Sequence, residues 1–136
     1  MTGQEAKKII LAVDDMPLNL TAIRTILHND FDIRLAKSAG MALVMLNAIK
    51  VDLILADIEM PEMSGFELVE RLRNNSEHPE QKDIPVIFVT SHEMPDIVEQ
   101  ALSSGAGYVV KPVIPRVLLE KVNSVFEAAE KNSTSG

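Results

Sequence analysis

The chain contains no cysteine, which removes disulfides, thiolate metal sites and thiol nucleophiles and fits a reducing compartment, the cytoplasm. It has no tryptophan and a single tyrosine, too few aromatic faces for a platform on which bases stack. Positive charge is scarce: 13 Lys and Arg stand against 20 Asp and Glu, a formal charge of −7. Such a chain offers no basic footprint for nucleic acid, and no direct contact with it is expected. No apolar run approaches the roughly 20 residues that cross a bilayer. The first apolar stretch breaks at Asp14-Asp15 and does not resemble a signal peptide, so no membrane contact is expected either. The three histidines, His28, His78 and His92, lack metal-ligand spacing. At 136 residues the chain suits one domain with one core.

The organising stretch is Asp52 to Gly65, DLILADIEMPEMSG. Leu53-Ile54-Leu55-Ala56 is a short apolar run of the kind found in strands buried on both faces. It ends on Asp57. Pro61 and Gly65 are turn residues, and Ser64 is placed to cap a following helix. Four other segments read as strands: Ile9–Val13 before Asp14-Asp15, Phe31–Ala36, Ile84–Val89 before Thr90-Ser91, and Tyr108–Val110 before Lys111-Pro112. The second mixes apolar and charged residues and is expected at an edge; the first, third and fourth are the most apolar and are expected to be central.

Helices alternate with these strands. Pro17 opens the first, with Leu20, Ile23, Ile26 and Leu27 facing inward and Asn29-Asp30 at its end. Ser38 caps the second, whose apolar members are Met41, Leu43, Val44, Leu46 and Ile49. The third spans Gly65 to Arg73, with Phe66, Leu68, Val69 and Leu72. A polar loop over residues 74–83 follows and reads as the least structured internal segment. Pro95 opens the fourth helix, with Ile97, Val98, Ala101 and Leu102, and Gly105 closes it. The last follows Pro115, with Val117, Leu118, Val122, Val125 and Phe126. Residues 131–136, KNSTSG, read as a disordered tail or linker remnant, leaving a domain over residues 1–130. Five β-α units predict an α/β fold: a single doubly wound, five-stranded parallel sheet covered by five helices.

In a parallel sheet all strand carboxyl ends lie together, so Asp14-Asp15, Asp57, Thr90 and Lys111 converge on one edge. Singly, Lys111 reads as a surface ion pair, Thr90 as a strand-end cap and Asp14-Asp15 as an acidic turn. Together they pose a charge problem. Three crowded carboxylates cannot all stay ionised without counter-charge. Lys111 supplies one positive charge, and Mg²⁺, a hard cation satisfied by one or two carboxylates, waters and a phosphate, supplies two more. The sum is then zero. A site so balanced can accept a phosphoryl group, with Asp57 as carboxylate nucleophile, Lys111 neutralising the phosphoryl oxygens and Thr90 donating a hydrogen bond.

At these residues the sequence resembles a receiver domain of a two-component response regulator, the CheY-like family, from about Lys8 to Ala128. The motifs are Asp14-Asp15, Asp57 with Met60-Pro61 and Ser64-Gly65, then Thr90, Tyr108 and Lys111-Pro112. The resemblance implies a flavodoxin-like strand order 2-1-3-4-5 and Asp57 as phosphoacceptor. It implies Mg²⁺ held by Asp14, Asp15, Asp57 and the backbone carbonyl of Glu59. Thr90 and Tyr108 would form a switch pair, Lys111 would contact the phosphoryl group, and the Lys111-Pro112 bond would be cis. The donor would be a phosphohistidine on a sensor histidine kinase or a histidine phosphotransfer protein. The output or homodimer face would be the fourth helix, last strand and last helix, including Asp96, Glu99, Tyr108, Arg116 and Lys121. No turnover beyond Mg²⁺-dependent self-phosphorylation and autodephosphorylation is implied. Met16, Ser91, Val113, a short Gly105–Tyr108 segment and a somewhat long Asn74–Asp83 loop depart from the commonest family pattern; none removes a group the chemistry needs.

Two other readings compete. A haloacid-dehalogenase-type phosphohydrolase also uses an aspartate nucleophile, but resembles D-x-D after its first strand, whereas here the acids are adjacent. A flavodoxin-like FMN module needs a hydroxyl- and Gly-rich phosphate loop there, and DDMPLN repels phosphate unless a metal binds. Finally, Glu59 and His92 lie two residues past Asp57 and Thr90 and are expected to flank the path of water that removes an aspartyl phosphate, tuning its lifetime.

Overall fold

The computed structural model describes residues 6–91, 95–104 and 107–135. Its elements in order are β1 (Ile9–Val13), α1 (Pro17–Leu27), β2 (Asp32–Ala36), α2 (Ala39–Ala48), β3 (Leu53–Ala56), α3 (Gly65–Arg73), a 3-10 turn (Pro79–Asp83), β4 (Val86–Thr90), α4 (Pro95–Ser104), β5 (Gly107–Val110) and α5 (Pro115–Ser135). The strands form one sheet in the order β2-β1-β3-β4-β5, parallel throughout. The three most apolar strands are central and the mixed one is an edge, as the sequence predicts.

Alternation along each strand splits the core into two layers. Ile10, Ala12, Leu53, Leu55, Ile87 and Val89 face α1 and α5, meeting Leu20, Ile23, Leu27, Leu118 and Val122. Leu11, Val13, Ile54, Ala56, Val86 and Phe88 face α2, α3 and α4, meeting Ala39, Ala42, Leu46, Leu68, Val69, Leu72 and Ala101. Each fully buried Leu, Ile or Phe contributes about 1.5–3 kcal/mol from area removed from water. The helix starts follow their caps. The Ser38 hydroxyl accepts from the Met41 amide at 3.0 Å, and Ser64 with Glu67 forms a reciprocal capping box at α3.

Some expectations fail. Met41 and Val44 are exposed, not core: α2 turns Ala39, Ala42 and Leu46 to the sheet. Leu102 and Val117 are likewise exposed. The segment 74–83 is not the loose loop expected. It folds into the 3-10 turn, and Gln81 is buried there, its amide donating to the Leu46 carbonyl at 2.8 Å. Arg73 braces the same turn by donating to the Ile84 carbonyl at 2.8 Å. Pro85 lies ahead of β4, which starts at Val86 instead of Ile84. The backbone of α5 is helical through Ser135. Gly105, the expected close of α4, lies outside the described residues. The Lys111-Pro112 bond is cis, as expected. Among the described residues no helix is long and apolar enough to cross a membrane.

Candidate functional site

β1, β3, β4 and β5 deliver Asp14, Asp57, Thr90 and Lys111 to the same edge of the sheet. Register does the work: Val13 pairs with Ala56, so Asp14 and Asp57 leave their strands side by side. Backbone bonds hold both acids as extensions of the ladder, the Asp14 amide donating to the Ala36 carbonyl at 3.1 Å and the Asp57 amide to the Val13 carbonyl at 3.0 Å. On the other side Thr90 pairs with Val110, and the Lys111 amide donates to the Thr90 carbonyl at 2.7 Å. Asp14, Asp57 and Thr90 are buried, only 1%, 7% and 2% exposed.

The Lys111 ammonium bridges the two buried carboxylates, 2.9 Å from Asp14 Oδ2 and 3.2 Å from Asp57 Oδ2. Asp15 is less buried and completes an acidic cluster. One carboxylate oxygen from each of Asp14, Asp15 and Asp57 lies within 4.8 Å of the others. A set of hard oxygen donors this close suits a hard divalent cation, so the residues present fit Mg²⁺. The Asp57 carboxyl is held above the usual carboxylate range. Burial is the main cause and the Asp14 charge adds to it, while Lys111 and the Glu59 amide oppose them. Burial pushes the Lys111 ammonium down, but its hydrogen bond to Asp14 and the charges of Asp57 and Asp14 outweigh that and raise it above its usual value.

The loop after Asp57 closes against it. The Glu59 amide donates to Asp57 Oδ1 at 3.3 Å, while the Glu59 side chain is exposed. The Gly65 amide donates to the Ile58 carbonyl at 2.9 Å, and a Cβ on Gly65 would sit 2.3 Å from the Asp57 carbonyl oxygen. Only glycine fits the start of α3 so close to the acid. Glu62 takes φ 70, left-handed backbone that is uncommon outside glycine.

Tyr108 is half-buried in β5 opposite Phe88, two residues before Thr90. Asp96, Glu99 and Arg116 are exposed and Lys121 half-buried. His92 lies outside the described residues. One positioning group escaped the sequence reading. The Met16 amide donates to Asp14 Oδ1 at 2.8 Å, fixing that carboxylate by an Asx turn. An Asp two residues ahead of a free amide, just before a Pro-initiated helix, was the available signal.

A family model described as the response regulator receiver domain matches residues 10–123. The chain is 33% identical over 128 residues to the two-component response regulator ORR3 of Oryza sativa, covering 92% of this chain and 95% of that protein. It is 38% identical over 116 residues to a probable cyclic di-GMP phosphodiesterase of Vibrio cholerae, but spans only 26% of that protein. It is 37% identical over 134 residues to hybrid signal transduction histidine kinase I of Dictyostelium discoideum, spanning 8% of it. Among solved structures, a CheY-like receiver domain protein from Methanospirillum hungatei superposes with TM-score 0.81 at 32% identity, over 93% of this chain and 99% of that one. The Vibrio cholerae chemotaxis protein CheY4 does so with TM-score 0.80 at 29% identity, over 88% of this chain and 99% of that one.

Proposed function

The chain belongs to the response regulator receiver domain family, and from that membership we propose that Asp57 is the residue that takes the phosphoryl group. The domain is one of two-component signal transduction; the comparisons lend nothing to the phosphohydrolase alternative. The observation that supports Asp57 is the cluster itself: a buried carboxylate at the end of the central strand, within one acidic set with Asp14 and Asp15 and 3.2 Å from Lys111.

In the reaction an Asp57 carboxylate oxygen attacks the phosphorus of a phosphohistidine. The P–O bond to Asp57 forms as the P–N bond breaks, and the imidazole leaves with the electron pair and takes up a proton. Lys111, now shared between Asp14 and Asp57, transfers its bonds to a phosphoryl oxygen, and the Thr90 hydroxyl donates to another. Asp14, Asp15, Asp57 and the Glu59 carbonyl would hold Mg²⁺. When bound, that ion supplies the two positive charges that offset the acids and the incoming phosphoryl group. Burial and the Asp14 charge both disfavour the charged form of Asp57, and this neutralisation favours the ionised, nucleophilic carboxylate.

The partner is a sensor histidine kinase or a phosphotransfer protein, working in the cytoplasm where ATP charges the donor. The Dictyostelium relative is a hybrid signal transduction histidine kinase of which this chain spans 8%; alone or inside a longer protein, the chemistry at Asp57 is the same. Thr90 and Tyr108 form the switch pair, and α4, β5 and α5 carry the output or homodimer face. Glu59 and His92 tune the lifetime of the aspartyl phosphate. Glu59 side-chain exposure next to the Asp57 loop supports the first; sequence position alone supports the second.

The test is incubation with acetyl phosphate, with and without Mg²⁺, and mapping of the adduct by mass spectrometry. A Mg²⁺-dependent adduct on Asp57 is expected. Labelling elsewhere, or equal labelling of Asp57→Asn, refutes the assignment. Phosphoryl decay in Glu59→Ala, His92→Ala and the double variant then tests rate tuning. A change of more than about twofold, with labelling retained, is expected.

A further inference from the structure

Exposed apolar side chains gather at the starts of two helices. Among the described residues seven large hydrophobic side chains are exposed, and four of them are Met16, Leu18, Ile114 and Val117. Met16 and Leu18 flank Pro17 at the start of α1; Ile114 and Val117 flank Pro115 at the start of α5. Leu18 is the most open, at 79%. The two helices pack on the same face of the sheet and against each other. Each follows a strand that ends at a site residue, β1 at Asp14 and β5 at Lys111. The apolar rim therefore lies at the edge that carries Asp57, on its α1–α5 side. Helix α1, PLNLTAIRTIL, contains no acid, and its one charged residue, Arg24, lies in its last turn, so its first turns offer uncharged side chains alone.

The other side of that edge is acidic. From Asp57 to Glu70 the chain contains no Lys or Arg. Glu59 and Glu62, in the loop between β3 and α3, are both exposed, and α3 covers the opposite face of the sheet. Lys37 after β2 and Arg116 in α5 are the exposed cations of this pole among the described residues, and neither belongs to that loop. The opening over Asp57 is thus two-sided, apolar toward α1 and α5 and anionic toward α3.

We propose that the helix bearing the donor's phosphohistidine docks across this opening, seating apolar side chains spaced about three or four residues from the histidine on Met16, Leu18 and Ile114, and setting Lys or Arg against Glu59 and Glu62. The inference rests on Asp57 as phosphoacceptor and names the chemistry of the partner. Reach makes the contact necessary. Asp57 is 7% exposed, so a phosphorus carried on a side chain comes within bonding distance only if the surface bearing it closes on the rim. The P–N bond then breaks as the P–O bond to Asp57 forms, and the imidazole left on the helix takes up a proton. Burial of the rim supplies affinity, and the acidic loop sets which way the helix lies. Pro17 and Pro115 fix the backbone at both helix starts, so the rim is ordered before the donor arrives. Reach also selects this occupant over a second copy. His28 follows α1 and His78 lies between α3 and β4, both at the other pole of the sheet, so a copy seated here through these faces would cover Asp57 and bring neither histidine to it.

The probes are synthetic helical peptides phosphorylated at one histidine by phosphoramidate, compared with acetyl phosphate as a donor that needs no docking. One has a Leu stripe beside the histidine and a Lys flank, a second carries Glu on that flank, and a third replaces the Leu stripe by Ser. With Mg²⁺ present, transfer to Asp57 from the first is expected about tenfold faster than from either of the others, its advantage over the Glu peptide falling with salt. Leu18→Gln and Ile114→Thr, at exposed positions, should each slow transfer from that peptide at least about threefold while acetyl phosphate labelling stays within about twofold of wild type. Glu62→Gln should narrow the gap between the Lys and Glu peptides, and Leu102→Gln, on α4, should change neither donor. Failure of acetyl phosphate to label Asp57 would overturn the phosphoacceptor reading and this proposal with it. Labelling by acetyl phosphate together with equal rates from the three peptides, or with slowing by Leu102→Gln and none by Leu18→Gln, overturns this proposal alone. So does a dimer in sedimentation that Leu18→Gln dissociates; it would assign the rim to a second copy.

Discussion

Lys111 is the counter-charge that lets two buried carboxylates coexist. Its ammonium is 2.9 Å from Asp14 and 3.2 Å from Asp57, so Lys111→Ala leaves both acids facing each other in a largely dry site. Breaking a buried pair by removing one partner costs about 3 kcal/mol, and a loss near that size is expected in urea unfolding at neutral pH. Added Mg²⁺ should recover more stability in the variant than in wild type. An unchanged midpoint for Lys111→Ala would mean that water already screens the pair. Asp57 behaves in the opposite sense. Its carboxyl is raised, chiefly by burial, so the folded state holds its proton more tightly than the unfolded state does. The stability this gives is fully present below the ordinary carboxylate pKa and is lost as pH rises through the raised one. In metal-free buffer, Asp57→Asn should therefore match wild type at low pH and exceed it above the raised value, lacking that downward limb. A melting-temperature series against pH checks this; parallel curves for the two proteins contradict it. These acids were legible in the sequence because each follows an apolar run. The Met16 amide that orients Asp14 was missed, because its one signal is the position of Asp14 two residues ahead of it, before Pro17, and not the identity of the donor's side chain.

Elements were readable to different degrees, and the differences have physical causes. Strands buried on both faces, such as Leu53–Ala56, announce themselves as unbroken apolar runs. Helix α2 misleads because it is apolar on every side, so periodicity cannot say that small Ala39 and Ala42 face the sheet while Met41 and Val44 face water. The segment 74–83 misleads in reverse: polar composition hides the fact that Gln81 is a buried tie to α2. The start of α3 was legible as a cap, Ser64 with Glu67, but the need for Gly65 was not, since close approach to the Asp57 carbonyl is a tertiary fact. Gly65→Ala forces its Cβ to within 2.3 Å of that oxygen unless the backbone moves. Overpacking of this kind costs about 2 kcal/mol, and movement of the loop beside Asp57 should also slow labelling by acetyl phosphate. Gly40→Ala is the control: its nearest neighbour would be Ser38 Oγ at 3.9 Å, and it should be neutral or stabilise by about 0.5 kcal/mol. Equal destabilisation by the two substitutions in denaturant melts would remove the special role given to Gly65.

Across the whole molecule, the sheet separates the edge proposed to react from the faces proposed to read it. Thr90 and Lys111 end adjacent strands, and β5 brings half-buried Tyr108 to the outer face beside α4 and α5. A phosphoryl group on Asp57 adds acceptor oxygens at that edge. If the Thr90 hydroxyl and the Lys111 ammonium turn to meet them, both strand ends are biased at once, and Tyr108 is the large side chain free to take a second position in response. Such a group acts by its differential interaction with two arrangements of the same face. Beryllofluoride with Mg²⁺ should then change amide exchange in α4, β5 and the first turns of α5 while leaving α2 and its neighbouring turn unchanged, since α2 packs mainly on β1, β2 and α3, and the turn on α3. Thr90→Ala should weaken the response without abolishing the beryllofluoride adduct, because Asp57, Asp14, Asp15 and Lys111 remain. Asp57→Asn should abolish both. Unaltered exchange on the α4-β5-α5 face in wild type saturated with beryllofluoride would show that phosphorylation of this domain is read elsewhere.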